Sequence, residues 1–471
     1  MIVGREQELE LLRSLKDKSA ASIVVVQGRR RIGKSFLIKE FAKEFKHFYD
    51  FQGLAPRAGI TPTTQRASFA SQFAKVFKVP TPTFESWYEA LSNLAERCKE
   101  GRTLILLDEI SWMSSNERDF AGTLKIVWDT MFSRNPKLVL ALCGSVASWI
   151  EYNILSDADF VGRISQVIRL KELSLASSAK MLGGRFGAID KLQLLAVTGG
   201  VPKYLEEINP KQSVDENIRR LCFSPGGYLY VDFDRIFSDI FGRRSENYKG
   251  IVRELINNRL SLKSLASKLR KPCSGELTRN IRDLELAGFI ARDFNTSLTT
   301  SKKAGISLLR ISDNYLRFYL KYIQPNAERI ERGIFSFQSL RRLIAWDTIL
   351  GLQFENLIAN RAPEIIKHLG IEHEQILAAG PYYQPHNKRQ SAVQVDLLIH
   401  CKPRILFLCE IKFRNKIITS VIEESKQKAA RLKVPKNTAI RPVLIYAGEI
   451  ADSVLDADYF DKVLDVQELL G

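Results

Sequence analysis

The sequence predicts a multidomain α/β protein, and three observations carry the prediction. A glycine-rich loop lies between a buried strand and a helix near the amino terminus. Three short amphipathic helices follow one another in the middle, and two apolar runs pair near the carboxyl end. At 471 residues the chain is too long for one core, so three or so domains are expected, and a hydrophobic fraction of 45% can fill them.

The loop comes first. Ile23-Val24-Val25-Val26 is β-branched throughout and long enough for one buried strand. Gly28 to Ser35 reads G-R-R-R-I-G-K-S, the spacing G-x-x-x-x-G-K-[ST], and apolar residues at helical spacing follow at Phe36, Leu37, Phe41 and Phe45. A strand–loop–helix unit of this kind aims backbone N–H groups and a positive helix end at phosphates. Gly28, Arg29, Arg30, Arg31, Ile32, Gly33, Lys34 and Ser35 are therefore the expected contacts to ATP. Lys34 would reach the β- and γ-phosphates, and the Ser35 hydroxyl would hold Mg²⁺.

A second strand, Leu104-Ile105-Leu106-Leu107, ends in Asp108-Glu109. Asp108 is expected in the Mg²⁺ shell beside Ser35, and Glu109 as the carboxylate that polarises the attacking water. A third strand, from Lys137 to Cys143, runs into Gly144-Ser145. Ser145 has two readings, a polar sensor of the γ-phosphate or the cap of the next helix.

The opening Val3-Gly4-Arg5-Glu6-x-Glu8-Leu9, the loop ending Gly33-Lys34-Ser35, Leu107-Asp108-Glu109, Cys143-Gly144-Ser145 and Gly199-Gly200-Val201-Pro202-Lys203-Tyr204-Leu205 belong together. As a set they resemble the archaeal-type ATPase family, in the AAA+/STAND-like branch of P-loop ATPases, over roughly the first half of the chain. The resemblance implies a P-loop ATPase core with a parallel sheet over residues 1–170, and a helical lid and linker over 171–235. It implies that Gly4-Arg5 lies near the adenine and that Pro202 belongs to a lid region that senses nucleotide. Within Asp159-Phe160-Val161-Gly162-Arg163, Arg163 falls where related proteins carry a basic finger, acting on transition-state charge in its own subunit or a neighbour's. The alternative is a solvated arginine that opens a strand from Ile164 to Leu170. Such relatives often assemble, so a homo-oligomer is among the expected partners.

Residues 236–300 are expected to form a winged helix-turn-helix. Tyr248, Ile251, Leu255 and Ile256 make one stripe; Ser261 starts a second helix with Leu262, Leu265 and Leu269; Leu277, Ile281 and Leu284 make a third, and Phe289-Ile290 enters a strand. Arg279 and Arg282 fall on the outer face of the third helix, with Lys268, Arg270 and Lys271 beside it. Such a face suits DNA, although winged helices attached to ATPases also serve as packing or regulatory modules. Residues 301–345 are read as a connecting segment, as is the stretch from Pro210 to Arg244.

In the region 346–471, a helix around Leu352 to Ile358 precedes two runs, Val393 to Ile399 and Ile405 to Lys412, joined by Cys401-Lys402-Pro403-Arg404 and expected to pair as a hairpin. Pairing sets Asp396 beside Glu410, and Lys412 shares a strand face with Glu410 because side chains repeat every second residue. Two carboxylates and a lysine at one sheet edge make a hard-metal site for Mg²⁺, with Asp396 and Glu410 as ligands and Glu355 from the helix completing the set. Lys412 would orient a hydroxide or meet charge on a phosphate. This D-(x)₁₃-E-x-K arrangement resembles the PD-(D/E)xK restriction-endonuclease-like superfamily, with Val395 where proline would stand. That resemblance implies a C-terminal α/β nuclease domain; the alternative is a hairpin carrying one Glu-Lys ion pair. Glu423, Gln427 and Lys428, on the helix after Lys412, are phosphate-contact or surface positions.

Composition frames these sites. A net charge of +17 favours a polyanionic partner, nucleic acid above all. The six cysteines are scattered with no C-x-x-C pair, which argues against a zinc knuckle or a disulfide framework and for a reducing compartment. The amino terminus turns acidic too early for a secretory signal, and no apolar run reaches the ~20 residues that span a bilayer. A cytoplasmic ATP-hydrolysing protein acting on DNA, with Mg²⁺-dependent nuclease chemistry, gives every feature a use. A nucleotide-dependent STAND-type switch is the competing expectation, and a transcription regulator using ATP as ligand ranks third.

Overall fold

The Ile23–Val26 run forms β1 (Ser22–Gly28), buried along its length up to Gly28. In the computed structural model it belongs to an all-parallel sheet of five strands in the order β2-β3-β4-β1-β5. The others are β2 (His47–Gln52), β3 (Thr103–Asp108), β4 (Leu138–Gly144) and β5 (Ile164–Leu170). The structure describes all residues except 1, 58, 115, 116, 157–159, 297, 299–302, 337, 372–375, 387, 389 and 471. Contacts divide the chain into two units: Met1–Glu172 with Asp234–Tyr248 and Arg279–Gly288, and Leu173–Phe233 with Lys249–Thr278 and Phe289–Gly471.

In the first unit, alternate side chains of β1 feed two cores. Val24 and Val26 pack with Leu12, Leu37 and Phe41; Ile23 and Val25 pack with Phe69, Trp87 and Leu91. A parallel sheet covered on both faces needs continuous apolar strands, and β3 and β4 are buried throughout. The edge strand β2, HFYDFQ, is mostly half-buried, and its mixed composition hides it from a periodicity reading. Phe36 departs from the expected helical stripe. It is 55% exposed on the helix Lys34–Ala42, where Leu37, Ile38 and Phe41 form the buried face. Because the strands are parallel, the carboxyl ends of β1, β3 and β4 emerge at one sheet edge, bringing their loops together.

The middle segment contains helices Ser245–Glu254, Leu262–Lys268 and Gly275–Leu286, then β6 (Ile290–Thr296) and β7 (Lys303–Ile311) as an antiparallel hairpin. The order of elements is the expected one, and Lys268, Arg270, Lys271, Arg279 and Arg282 are exposed. The segment 236–300 is, however, shared between the two units. The stretches read as connectors do more than connect. Val214–Cys222 opens with a complete capping box between Ser213 and Glu216. Tyr315, Phe318 and Tyr319 are buried, and the rings of Phe233 and Tyr319 stack at 4.2 Å.

The carboxyl-terminal part of the second unit is a sheet of order β12-β11-β10-β9-β8. Its strands are β8 (Ile376–Gln384), β9 (Val393–Cys401), β10 (Ile405–Ile417), β11 (Ala439–Ile450) and β12 (Lys462–Asp465). The expected hairpin is β9–β10, antiparallel from Ile405↔Cys401 to Cys409↔Leu397, whereas β10–β11 and β11–β12 are parallel. The helix Trp346–Asn360 packs on β10 and is longer than the run read from sequence. Its buried Gln353 donates to the Ala196 and Asn314 carbonyls and accepts from Arg317.

Candidate functional site: a nucleotide loop and a separate acidic cluster

The phosphate loop is shaped by its glycines. A Cβ on Gly28 would lie 2.6 Å from the Leu170 carbonyl oxygen, so β5 can pass close only to glycine. Gly33 at φ 92° turns the chain into the helix Lys34–Ala42, and Arg31 also sits in the left-handed region at φ 71°. Lys34 is buried, and its Nζ donates to the carbonyls of Gly28 (3.0 Å) and Arg29 (3.2 Å) and to Ser145 Oγ (3.1 Å). Burial lowers its pKa, opposed by the charge of Glu109.

Ser35 Oγ donates to Asp108 Oδ2 at 2.6 Å. Asp108 is buried, which raises its pKa, while the Ser35 hydrogen bond pulls the other way. Hydroxyl and carboxylate together are the hard oxygen donors that Mg²⁺ takes from a protein when phosphates and water supply the rest, so the residues fit the ion. Glu109, at φ 51°, follows at the end of β3. Its Oε1 accepts from Ser145 Oγ (2.6 Å) and its Oε2 from the Ser145 backbone N–H (2.9 Å).

These bonds arise from strand order. β4 lies between β1 and β3, so Ser145, just past its end, stands between the loop lysine and the Asp-Glu pair. The chain of donors runs Lys34 to Ser145 to Glu109. The following helix begins at Ala147 with no side-chain cap, so Ser145 is not a helix cap. Gly53, which the sequence reading passed over, completes the edge. A Cβ there would lie 2.7 Å from the Glu109 carbonyl oxygen and 2.9 Å from Met113 N, so the turn carrying Glu109 requires glycine opposite.

The remaining expected nucleotide residues have the following surroundings. Arg5 is buried and its Nη2 donates to the Ile32 (3.2 Å) and Lys171 (2.7 Å) carbonyls, clasping the loop to the chain after β5. Arg163 is engaged with Asp129, through Nε at 2.7 Å and Nη2 at 2.9 Å. Asp159, in the same motif, lies outside the described residues. Pro202 is the first residue of the helix Pro202–Glu206 in the second unit. There the neighbouring Gly199 and Gly200 serve Arg361, whose guanidinium donates to the Leu173 (2.8 Å) and Gly199 (3.0 Å) carbonyls.

The second cluster sits on β9 and β10. Asp396 and Glu410 lie on the same side of the sheet: Lys428 Nζ is 2.7 Å from Glu410 Oε2 and 3.6 Å from Asp396 Oδ2. Asp396 Oδ2 also accepts the Ile411 N–H at 3.3 Å. Lys412 Nζ stands 2.7 Å from Glu410 Oε1 and 2.6 Å from Glu424. Glu410 is fully buried, and Oε1 has a close cation but no hydrogen bond of good geometry. Two adjacent buried carboxylates, one with such an oxygen, fit a hard divalent cation. Burial raises the Asp396 pKa, Lys428 opposing it, and pushes Glu355 up to about 7 with the charge of Asp396 adding to the effect.

The full ligand set expected from sequence is not assembled. Among the described residues no three His, Cys, Asp or Glu side chains are grouped to hold a metal ion, so Glu355 does not join Asp396 and Glu410. Lysines take the carboxylate oxygens instead. Lys428 and Glu424 are the working positions of the helix Ser420–Arg431, whereas Glu423 pairs with Lys426. No helix of the described residues is long and apolar enough to cross a membrane.

A parallel sheet of this order, with a G-x-x-x-x-G-K-S loop and an Asp-Glu pair at one edge, defines a P-loop ATPase. Residues 2–208 match the family described as an ATPase domain predominantly from Archaea, and the chain carries an ATPase domain of that archaeal family. It is similar to an uncharacterized protein of Methanocaldococcus jannaschii, 24% identical over 360 residues, covering 76% of each chain. An uncharacterized ATP-binding protein of the same organism is 41% identical over 46 residues, 10% of this chain and 78% of that one. Among solved structures, the Walker-type ATPase of Pyrococcus abyssi is 20% identical with a TM-score of 0.47, covering 68% of this chain and 96% of that one. The Aeropyrum pernix ORC2 protein, in ADPNP–ADP complexes, is 14% identical with a TM-score of 0.39, covering 70% and 95%.

Proposed function

We propose that this ATPase acts on DNA, and that Asp396, Glu410 and Lys412 form a metal-assisted centre that cuts phosphodiester bonds. The observation that carries the cleavage half is the convergence of Asp396 and Glu410 on Lys428, with Lys412 on the other Glu410 oxygen. Asp396 and Glu410 would hold Mg²⁺, which when bound supplies an activated water and polarises the phosphate. Lys412 orients the nucleophile or meets the charge on the phosphate, and Lys428 neutralises the acid pair. At the nucleotide loop, Lys34 meets the β- and γ-phosphates, Ser35 and Asp108 hold Mg²⁺, and Glu109 orients the attacking water. Ser145 reports the γ-phosphate to Glu109. The net charge of +17 and the exposed Lys268, Arg270 and Lys271, read as part of a winged helix, would hold the DNA backbone.

The test is incubation of purified protein with plasmid and single-stranded DNA, with and without Mg²⁺ or Mn²⁺ and ATP. Metal-dependent cutting that is lost in Asp396→Ala and altered in Lys34→Ala is the expected result. Cutting that survives Asp396→Ala removes the assigned centre.

A second reading, a nucleotide-dependent switch, is favoured by one observation: lysines already neutralise both carboxylates. In that case cutting is absent with every metal until Lys428 is displaced, and nucleotide is retained rather than turned over. No cutting by wild type together with slow ATP turnover would select it.

A further inference from the structure

Beside the acid pair, within the second unit, lies a cavity of about 540 Å³ whose lining includes Arg259, Arg310, Arg317 and Glu355. That volume is in the range of small-ligand sites. Three guanidinium groups in one cavity repel one another, and burial costs each of them solvation. Burial, with the charges of Arg310 and Arg259 adding to it, takes Arg317 down to about 10.

The acids available do not balance this charge. Arg310 is committed: its Nε meets both Asp293 oxygens (3.0 and 3.1 Å), and its other nitrogens reach Asn356 and Asn360. Arg317 is 7% exposed and gives Nη1 to Gln353 (2.8 Å) and Nη2 to the Ile311 carbonyl (3.0 Å), but its buried Nε has no partner. Arg259 is half-buried and makes no hydrogen bond or ion pair among the described residues. Among the described residues of the lining, Glu355 is the acid set against these three guanidinium groups.

A buried guanidinium nitrogen without a partner, and a second guanidinium uncommitted beside it, form a site for an oxyanion. Arginine is the residue best matched to phosphate, because its planar donors meet two oxygens at once. The anion's source follows from position: Gln394, two residues before Asp396 on β9, lines the cavity with Glu355, whose helix packs on β10, so the cavity adjoins the acid pair.

We propose that this cavity is a phosphate subsite, in which Arg259 and Arg317 hold a nucleic-acid phosphate next to the one presented to Asp396 and Glu410. The assignment rests on the cleavage reading above for the identity of its strand. Charge-assisted hydrogen bonds contribute about 1.5–3 kcal/mol, so loss of one guanidinium contact predicts roughly 10- to 100-fold weaker binding.

The test measures anisotropy of a short fluorescein-labelled oligonucleotide, single-stranded and as a duplex, on the full chain in EDTA. Arg259→Ala is expected to weaken binding about 10-fold or more and to flatten the salt dependence by about one phosphate contact. Arg317→Lys, which keeps charge but loses the fork, is expected to follow it. The circular dichroism spectrum and melting temperature of Arg259→Ala should match wild type, which certifies folding. Unchanged oligonucleotide affinity in both variants overturns the proposal. So does an Arg259→Ala variant that loses displacement by a nucleoside monophosphate or by inorganic phosphate while still binding the strand, since the pocket then serves a free anion. If wild type never cuts DNA but both variants lose strand affinity, the cleavage reading fails and the subsite stands.

Discussion

Ser145→Ala isolates the link between the phosphate loop and the carboxylate assigned to water activation. The hydroxyl makes two contacts, accepting from Lys34 Nζ at 3.1 Å and donating to Glu109 Oε1 at 2.6 Å. The backbone N–H to Glu109 Oε2, at 2.9 Å, survives the substitution. Glu109 therefore keeps one anchor of two and becomes free to rotate about it. A hydrogen bond to a charged group contributes about 1.5–3 kcal/mol, and each ~1.4 kcal/mol on a barrier is tenfold in rate. ATP hydrolysis should fall roughly 10- to 100-fold. The binding of a fluorescent ATP analogue should change little, because Lys34 retains its remaining donors for phosphate. Ser145→Thr, which keeps the hydroxyl, should recover most of the rate. Steady-state turnover under saturating ATP and Mg²⁺ measures this, and a Ser145→Ala rate within twofold of wild type would refute the assignment.

Three further outcomes follow from close approaches and buried groups. Gly53→Ala puts a Cβ 2.7 Å from the Glu109 carbonyl oxygen, and overpacking of this kind costs about 1–3 kcal/mol; hydrolysis should drop more than nucleotide affinity, and equal losses would contradict the geometry. Gly200→Ala combines φ 83° with a Cβ 2.5 Å from Arg361 Nη2, so thermal melting should shift downward, and an unchanged midpoint would show that Arg361 does not need its seat. Burial lowers the His400 pKa, so the fold favours neutral imidazole; the stabilisation is present above an unfolded pKa of about 6.5 and lost as pH falls through the lower folded value. The fall in melting temperature on acidification should be smaller in His400→Asn, and an identical fall would contradict the assignment.

The nucleotide site was legible because its parts are local. Gly28 to Ser35 is contiguous, and Asp108 and Glu109 end one apolar run, so spacing alone finds them. The bonds of Ser145 were not legible, since they depend on β4 inserting between β1 and β3, and strand order is not written in any one segment. Gly53 escaped for the same reason: a lone glycine after an edge strand carries no signal until the turn at Glu109 is placed against it. Phe36 misled, because a stripe counted from apolar residues cannot distinguish a buried position from its exposed neighbour.

At the acidic cluster the hairpin register was legible because a tight connector fixes it, and register brings Asp396 and Glu410 to one side. The two lysines closing over that pair differ in origin. Lys412 follows from period-2 alternation, but Lys428 sits on a helix eighteen residues after Glu410, and only the packing of that helix decides which of its polar residues turns inward. The outcome alters the chemistry expected of the pair. Two buried carboxylates repel each other; Lys428, bonded to one and near the other, offsets that repulsion. A divalent cation would do the same with greater charge, so the ion and Lys428 compete for the same oxygens. On the proposed reading, the lysine would hold the acid pair together before metal arrives and, by the same contact, set a threshold that the metal must exceed.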